Sequence, residues 1–331
     1  MMKKLQIAVS VVISLVCLYF SFRGIDWVKT AEAMRHANYW FIAGTVGVTM
    51  ISIWLRAYRW KFMLDPIKKV STGSLFASTM IGFMANNILP ARLGELVRAV
   101  AVGHQARVSK SAAFATIVIE RAFDMVSLVC FLGVVLFVHP LDRRIKIVGL
   151  IAVAICVAMF VVLILFRARR DLVMRLFVRF SGGMPPAARE KAQGLLHSFI
   201  DGLEVLARGH HIVAILVLSL VMWLSVALSM DLGLRAFALQ VPVHASLVLL
   251  VVVSLALMIP SGPGFAGTFE AAVIVTLISM GVDKELAASY AIMYHATQFV
   301  PVTLLGFYFL GKSGMSLGSM TSGKDREPAA G

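Results

Sequence analysis

The sequence predicts an all-α polytopic membrane protein of about six spanning helices and two re-entrant, broken-helix hairpins, or eight membrane elements by the looser count. Three observations predict it. Of 331 residues, 60% are apolar and 15% charged, and a water-soluble domain of this length has no core able to hide so much apolar surface. The apolar residues gather in runs close to the roughly 20 that cross a hydrocarbon core as a helix. Two further apolar stretches are interrupted by Asn, Pro and Gly, which a simple spanning rod does not tolerate.

The first span, Leu5–Phe22, follows Met1-Met2-Lys3-Lys4. Phe20-Ser21-Phe22-Arg23 offers no small-residue cleavage site, so the run reads as a retained helix rather than a signal peptide. Trp40–Leu55 is the second span, and Arg56, Arg59, Lys61, Lys68 and Lys69 follow it. Ser74–Val102 is basic and cytoplasmic at both ends and broken at Asn86–Gly94, which fits a hairpin that returns to its side of entry. Ala112–Val138 and Ile147–Phe166 are the third and fourth spans. Arg167, Arg169, Arg170, Arg175 and Arg179 follow. Arg170–Phe180 alternates basic and bulky apolar residues, as a helix lying on a membrane surface does. Ala187–Ala207 sets Leu195, Leu196, Phe199, Leu203 and Leu206 on one helical face, and both segments read as braces for the bundle. Ile212–Met230 is the fifth span, Ser246–Met280 the second hairpin, broken at Pro260–Gly267, and Ser289–Leu310 the sixth span.

The net charge of +14 lies mainly between the spans. It therefore reports topology, not nucleic-acid binding. By the positive-inside rule the N- and C-termini are cytoplasmic and the loops 23–39 and 139–145 external, with Arg143 and Arg144 against the trend. The chain is expected in the plasma (inner) membrane as one domain, 1–311, with a disordered cytoplasmic tail at 312–331. Cys17, Cys130 and Cys156 all lie in apolar runs, so no disulfide framework is implied.

Both breaks contain Pro-x-x-x-Gly, as Pro90…Gly94 and Pro263…Gly267. An alanine pair opens a long helix about 20 residues later, Ala112-Ala113 and Ala287-Ala288, and seven residues beyond each pair stands an ionisable group, Glu120 or His295. These correspondences predict an internal duplication, about 5–138 and 147–311, with the amphipathic linker 167–211 inside the second unit. Because one unit starts inside and the other outside, the repeat is inverted, as in many secondary transporters.

Charges within a span identify candidate functional residues, since each costs about 2.5–3.5 kcal/mol near a helix centre on insertion scales. Glu120, Arg121 and Asp124 share one side of the third span. They form either a self-neutralising lock or a site in which Arg121 grips an anion while a carboxylate tunes it or carries a proton. In the first break Arg92, Glu95 and Arg98 spread along a short helix whose open N–H groups, with Arg92, would suit a phosphate. Asn86 and Asn87 can bridge the broken backbone or touch a head group. Gly262-Pro263-Gly264-Phe265-Ala266-Gly267 matches the dinucleotide glycine pattern, but no βαβ unit surrounds it. What remains is a turn opening a half-helix that carries Glu270, opposite Tyr294, His295 and Gln298. His295 is as readily a satisfied core histidine as a functional one. The sequence has no metal spacing, Walker loop, zinc pattern or Ser/His/Asp set, and no cofactor or catalytic residue is implied.

Three ordered motifs, Asn87-x-x-Pro90-x-x-x-Gly94-Glu95-x-x-Arg98, Glu120-Arg121-x-x-Asp124 and Pro263-Gly264-x-x-Gly267-x-x-Glu270, resemble the lysylphosphatidylglycerol synthase transmembrane region, or flippase-like domain family, over about residues 5–311. In bifunctional members that region moves an aminoacylated phospholipid between leaflets and a fused domain makes it. These 331 residues hold no such synthase domain, so the lysyl-lipid chemistry is not carried over. The resemblance implies the handling or movement of a lipid, its class open among phospholipids, hopanoid-type and polyprenyl-linked lipids. The expected substrate-binding set is Asn87, Arg92, Glu95, Arg98, Glu120, Arg121, Asp124, Gly264, Gly267, Glu270 and His295, with an anionic head group as the partner. Two other classes stay open: a scaffold recruiting a lipid-modifying enzyme through 167–211, and a head-group enzyme using Glu120 or Asp124 as base. Nothing in the sequence specifies a protein partner.

Overall fold

A backbone inside lipid satisfies its own hydrogen bonds, so apolar runs become helices. The computed structural model describes residues 2–89, 93–138, 143–207, 209–259 and 261–316, and among these the regular structure is wholly helical. The first half comprises α1 (Met2–Phe22), α2 (Trp27–His36), α3 (Tyr39–Leu64), α4 (Thr72–Ile88), α5 (Gly94–Ala106) and α6 (Lys110–Val138). The second comprises α7 (Arg143–Ala168), α8 (Arg170–Phe180), α9 (Pro186–Gly202), α10 (Gly209–Ala236), α11 (Ala245–Ala256), α12 (Thr268–Ser279) and α13 (Lys284–Lys312). Arg92 and the tail from 317 onward lie outside the described residues.

Two contacts tie together one end of the bundle: the Asn38 N–H donates to the Ala236 carbonyl at 2.8 Å, and Lys284 Nζ to the Arg23 carbonyl at 2.6 Å. At the other end Lys68 Nζ reaches the Arg107 carbonyl at 3.5 Å, and Ser111 Oγ donates to the Leu195 carbonyl at 2.7 Å. Helices α3 and α10 run antiparallel between these ends and pack along each other, with Thr49 Oγ1 and Ser229 Oγ 3.1 Å apart. The helix pair α4–α5 starts and finishes near the Lys68 end, while α11–α12 starts and finishes near the Lys284 end. Each broken stretch is therefore a hairpin.

Four helices are long and apolar enough to cross a membrane alone: α3, α6, α7 from Gly149 onward, and α10. A fifth candidate is the pair α1–α2, bent by 85°. The sixth expected span, α13, has 29 residues but carries Tyr290, Tyr294, His295 and Gln298, which lower its apolarity. Outward faces are aliphatic, as in the α10 stripe Val213, Val217, Val221, Leu224 and Leu228. That pattern suits contact with lipid.

Three segments differ from the sequence reading. Within the loop expected at 23–39, Asp26 caps α2 by accepting from the Val28 and Lys29 N–H groups at 2.9 and 3.2 Å. Helix α3 continues to Leu64 instead of stopping at Leu55. The segment 187–207 tightens into a 3-10 turn at Leu203–Ala207, and it is Leu203 and Val205 that are buried, while Leu195 stays half exposed. Gly202 permits this docking, since a Cβ there would meet the Ala112 carbonyl at 2.6 Å.

Candidate functional site

A polar stripe runs down α3: Thr45, Thr49, Ser52, Arg56 and Arg59, spaced by four and three residues, are all buried. That spacing keeps them on one helical face. The stripe meets the ionisable turn of α6. Glu120 Oε1 receives Arg98 Nη1 at 2.8 Å, Arg56 Nη1 at 2.9 Å and Arg121 Nη2 at 3.3 Å, with Arg59 Nη2 at 3.5 Å. Asp124 Oδ1 receives Arg59 Nη1 at 2.7 Å and Trp223 Nε1 at 3.2 Å, and its Oδ2 receives Arg56 Nη1 at 2.9 Å. Arg59 Nη1 also reaches Ser219 Oγ at 2.6 Å.

Two buried carboxylates thus face four guanidinium groups, which stay charged in any protein environment. Glu95 adds a third carboxylate 4.0 Å from Arg121 Nε. The cluster keeps a surplus positive charge among the described residues. Arg59 is fully buried and Arg98 is 1% exposed, with its guanidinium 3.8 Å from the centre of the Trp60 ring. The Arg121 side chain is 39% exposed, and its second carboxylate contact, Nη1 to Asp124 Oδ2, is 3.5 Å long. Arg121 is therefore the least committed of the four.

The two hairpin tips converge beside this cluster. Asn86 Oδ1 accepts the Gly94 N–H at 2.7 Å, bridging the first break, and Asn87 Nδ2 donates to Thr303 Oγ1 on α13 at 2.8 Å. Asn86 serves the backbone and Asn87 ties the first hairpin to α13, and both also line a cavity of about 480 Å³ between the hairpins. A cavity of that size accommodates a small ligand or a head group. Its polar wall includes Ser52, Arg56, Asn86, Glu95, Arg121, Asp124 and Gln298. Its apolar wall includes Leu128, Leu250, Val253, Met258 and Phe269. A narrow apolar slot among α6, α7 and α11 shares Met125, Leu128 and Met258 with it.

On the second hairpin, His295 of α13 places Nδ1 2.5 Å from Glu270 Oε1 and Nε2 2.9 Å from the Gly264 carbonyl. Glu270 Oε2 accepts the Gly267 N–H at 2.6 Å, which caps α12. Gly264 lies on the cavity wall, whereas Gly267 packs against α1, where a Cβ would come 2.3 Å from the Ser14 carbonyl. Its φ of +90° is a second reason for glycine at that position.

The structure gathers Asn87, Glu95, Arg121, Asp124, Gly264 and His295 around the cavity. Arg98, Glu120, Gly267 and Glu270 stand behind its wall as partners of wall residues or packing elements. The sequence marks Arg56 and Arg59 as topology residues after a span, but both are buried ion-pair donors. The signal that identifies them is the polar stripe, which continues past the end of the apolar run.

The fold and site define a class: a polytopic helical membrane protein with two broken hairpins around a cavity lined by charged and apolar side chains. Within that class the chain belongs to the family described as lysylphosphatidylglycerol synthase TM region, matched over residues 7–306. It is 22% identical over 315 residues to a UPF0104 membrane protein of Methanothermobacter thermautotrophicus, covering 90% of this chain and 93% of that protein. To a UPF0104 membrane protein of Pyrococcus horikoshii it is 26% identical, covering 92% and 96%. It is also 24% identical to the glycosyltransferase AglD of Haloferax volcanii over 92% of this chain and 54% of that protein.

Proposed function

We propose that this protein binds a lipid with an anionic head group and carries it between leaflets. The single observation behind this reading is the cavity, lined on its polar side by Arg56 and Arg121 with Glu95 and Asp124 and elsewhere by aliphatic side chains, lying between two broken hairpins. Alternating-access carriers use half-helices at such a site. Arg121 and Arg56 would hold the head group, with Asn86, Asn87 and Gln298 as neutral hydrogen-bond donors and Glu95 limiting the negative charge accepted. The aliphatic wall and its adjoining slot offer the start of a path for a tail. Arg98 and Glu120 would fix Arg56 and Arg121 in position.

In this reading the two halves form an inverted repeat, with the Lys68 end in the cytoplasm of a cell whose plasma (inner) membrane holds the protein. The concentration of basic residues in 167–191, on the same end as Lys68 and Lys69, supports that orientation. The test is mass spectrometry of lipids that co-purify in mild detergent, comparing the natural protein with Arg121→Ala. The expected result is one anionic class enriched in the natural protein and lost in the variant. The same membrane-average profile in both would overturn the carrier and favour a scaffold.

A further inference from the structure

The Glu270–His295 contact constrains where protons reside. The Gly264 carbonyl can only accept, so His295 must carry hydrogen on Nε2 to hold the 2.9 Å contact. Its Nδ1 lies within hydrogen-bond reach of Glu270 Oε1, at 2.5 Å, and a hydrogen bond there needs a hydrogen on one of the two atoms. With that proton absent, either Nδ1 opposes the carboxylate with lone pair against lone pair, or Nε2 gives up its hydrogen and loses the Gly264 carbonyl. The observed geometry therefore belongs to the pair holding one shared proton.

The same pair holds an unusual turn. Gly264 and Phe265 both have left-handed backbones, with φ of +64° and +61°, and Gly267 follows at +90°. A left-handed conformation is costly for a bulky residue such as Phe265, so the surrounding contacts must enforce it. Phe269 and Phe299 pack on the imidazole, at centroid distances of 4.9 and 6.1 Å, and limit water's access to replace its partners.

We propose that Glu270 and His295 form a one-proton binding site that locks the Pro263–Gly267 turn to α13, and that releasing the proton frees the turn. Its relevance to transport rests on the carrier reading, because His295, Gly264 and Phe265 all line the cavity. No other charged group in the described residues competes locally. The neighbours α4 and α11 carry no ionisable residue, α1 carries Cys17 and Tyr19 with Lys3 and Lys4 in its first turn, and α13 adds Tyr290 and Tyr294, whose hydroxyls bond to Met230 and Ser229, with Lys284, Glu285, Tyr308 and Lys312 toward its ends. Across the cavity stand Arg56, Glu95, Arg121 and Asp124. Glu120 and Asp124, clamped among guanidinium groups, are poorly suited to exchange a proton. The proton role passes from them to this pair.

Hydrogen–deuterium exchange of the full chain in nanodiscs tests the proposal, read on peptides covering 261–268 and corrected for intrinsic exchange. As the pH is raised from about 5.5 to 8.5, protection of this segment should fall in the natural protein. One linked proton changes an opening equilibrium by up to about tenfold per pH unit. Glu270→Gln, whose amide mimics the proton-bearing acid, should stay protected throughout, and His295→Gln should show no pH response. Constant protection in the natural protein, or the same pH response in Glu270→Gln, overturns the site. A second arm measures transfer of a fluorescent anionic phospholipid in proteoliposomes, where a pH step should alter the rate in the natural protein and not in Glu270→Gln. Absence of transfer at every pH would defeat the carrier reading while leaving the exchange result to decide the proton site.

Discussion

Asp124 accepts hydrogen bonds from Arg59, Arg56 and Trp223, side chains of two other helices. Asp124→Ala takes from Arg59 its 2.7 Å carboxylate partner and from Arg56 one of its two, and breaking a buried pair in this way costs about 3–5 kcal/mol. Arg121 is 39% exposed and makes only longer contacts with the same carboxylates. Its truncation should cost no more than about 1 kcal/mol, the range of exposed ion pairs. Thermal unfolding in detergent separates the two expectations, and equal losses would contradict the division between a buried clamp and a part-exposed arginine. The sequence disclosed Glu120, Arg121 and Asp124 because charge in a span is costly. It concealed Arg56 and Arg59 because arginines after an apolar run look like topology markers until the periodicity of Thr45, Thr49 and Ser52 is extended through them.

At the scale of elements, the hairpins depend on glycine at points of close approach. A Cβ at Gly94 would fall 2.1 Å from the Gly82 carbonyl and 2.4 Å from Asn86 Oδ1, and one at Gly306 would fall 2.3 Å from Met84 Cβ. Gly94→Ala and Gly306→Ala should therefore each destabilise by at least about 1–3 kcal/mol, the cost of overpacking. Gly47 in α3 has no neighbour within 4 Å. Gly47→Ala should be neutral, or stabilising by about 0.5–1 kcal/mol through helix propensity. Unfolding midpoints of the three variants in one detergent check this, and a loss at Gly47 matching the other two would show that packing is not the cause. Both breaks and the surface helix Arg170–Phe180 were legible, since Pro, Gly and alternating Arg mark them directly. Helix α2 was not, because it is short and amphipathic and is held by contacts that the sequence does not display. They include its Asp26 cap and Ser289 of α13, which donates to the Thr30 carbonyl at 3.1 Å.

Across the whole molecule the two halves exchange partners. Helix α2 of the first half packs on α13 of the second, while α9 of the second packs on α6 of the first. The contacts correspond: Ser289, next to the buried Ala287-Ala288 pair, bonds to Thr30 of α2, and Ser111, next to the buried Ala112-Ala113 pair, bonds to Leu195 of α9. Seven residues past each pair, Glu120 engages Arg98 of the first hairpin and His295 engages Glu270 of the second. The proposed inverted duplication would account for all three matches. It requires α2 and α9 to lie on opposite faces of the membrane. With Cys17, Cys130 and Cys156 replaced, Lys29→Cys and Glu190→Cys each place one thiol at an exposed position. In right-side-out vesicles an impermeant maleimide should label the Lys29 position at once and the Glu190 position only after permeabilisation. Labelling of both from one side would defeat the inverted repeat. Because the cavity lies between the two hairpins, that result would also remove the symmetry by which one site can be presented to each leaflet in turn.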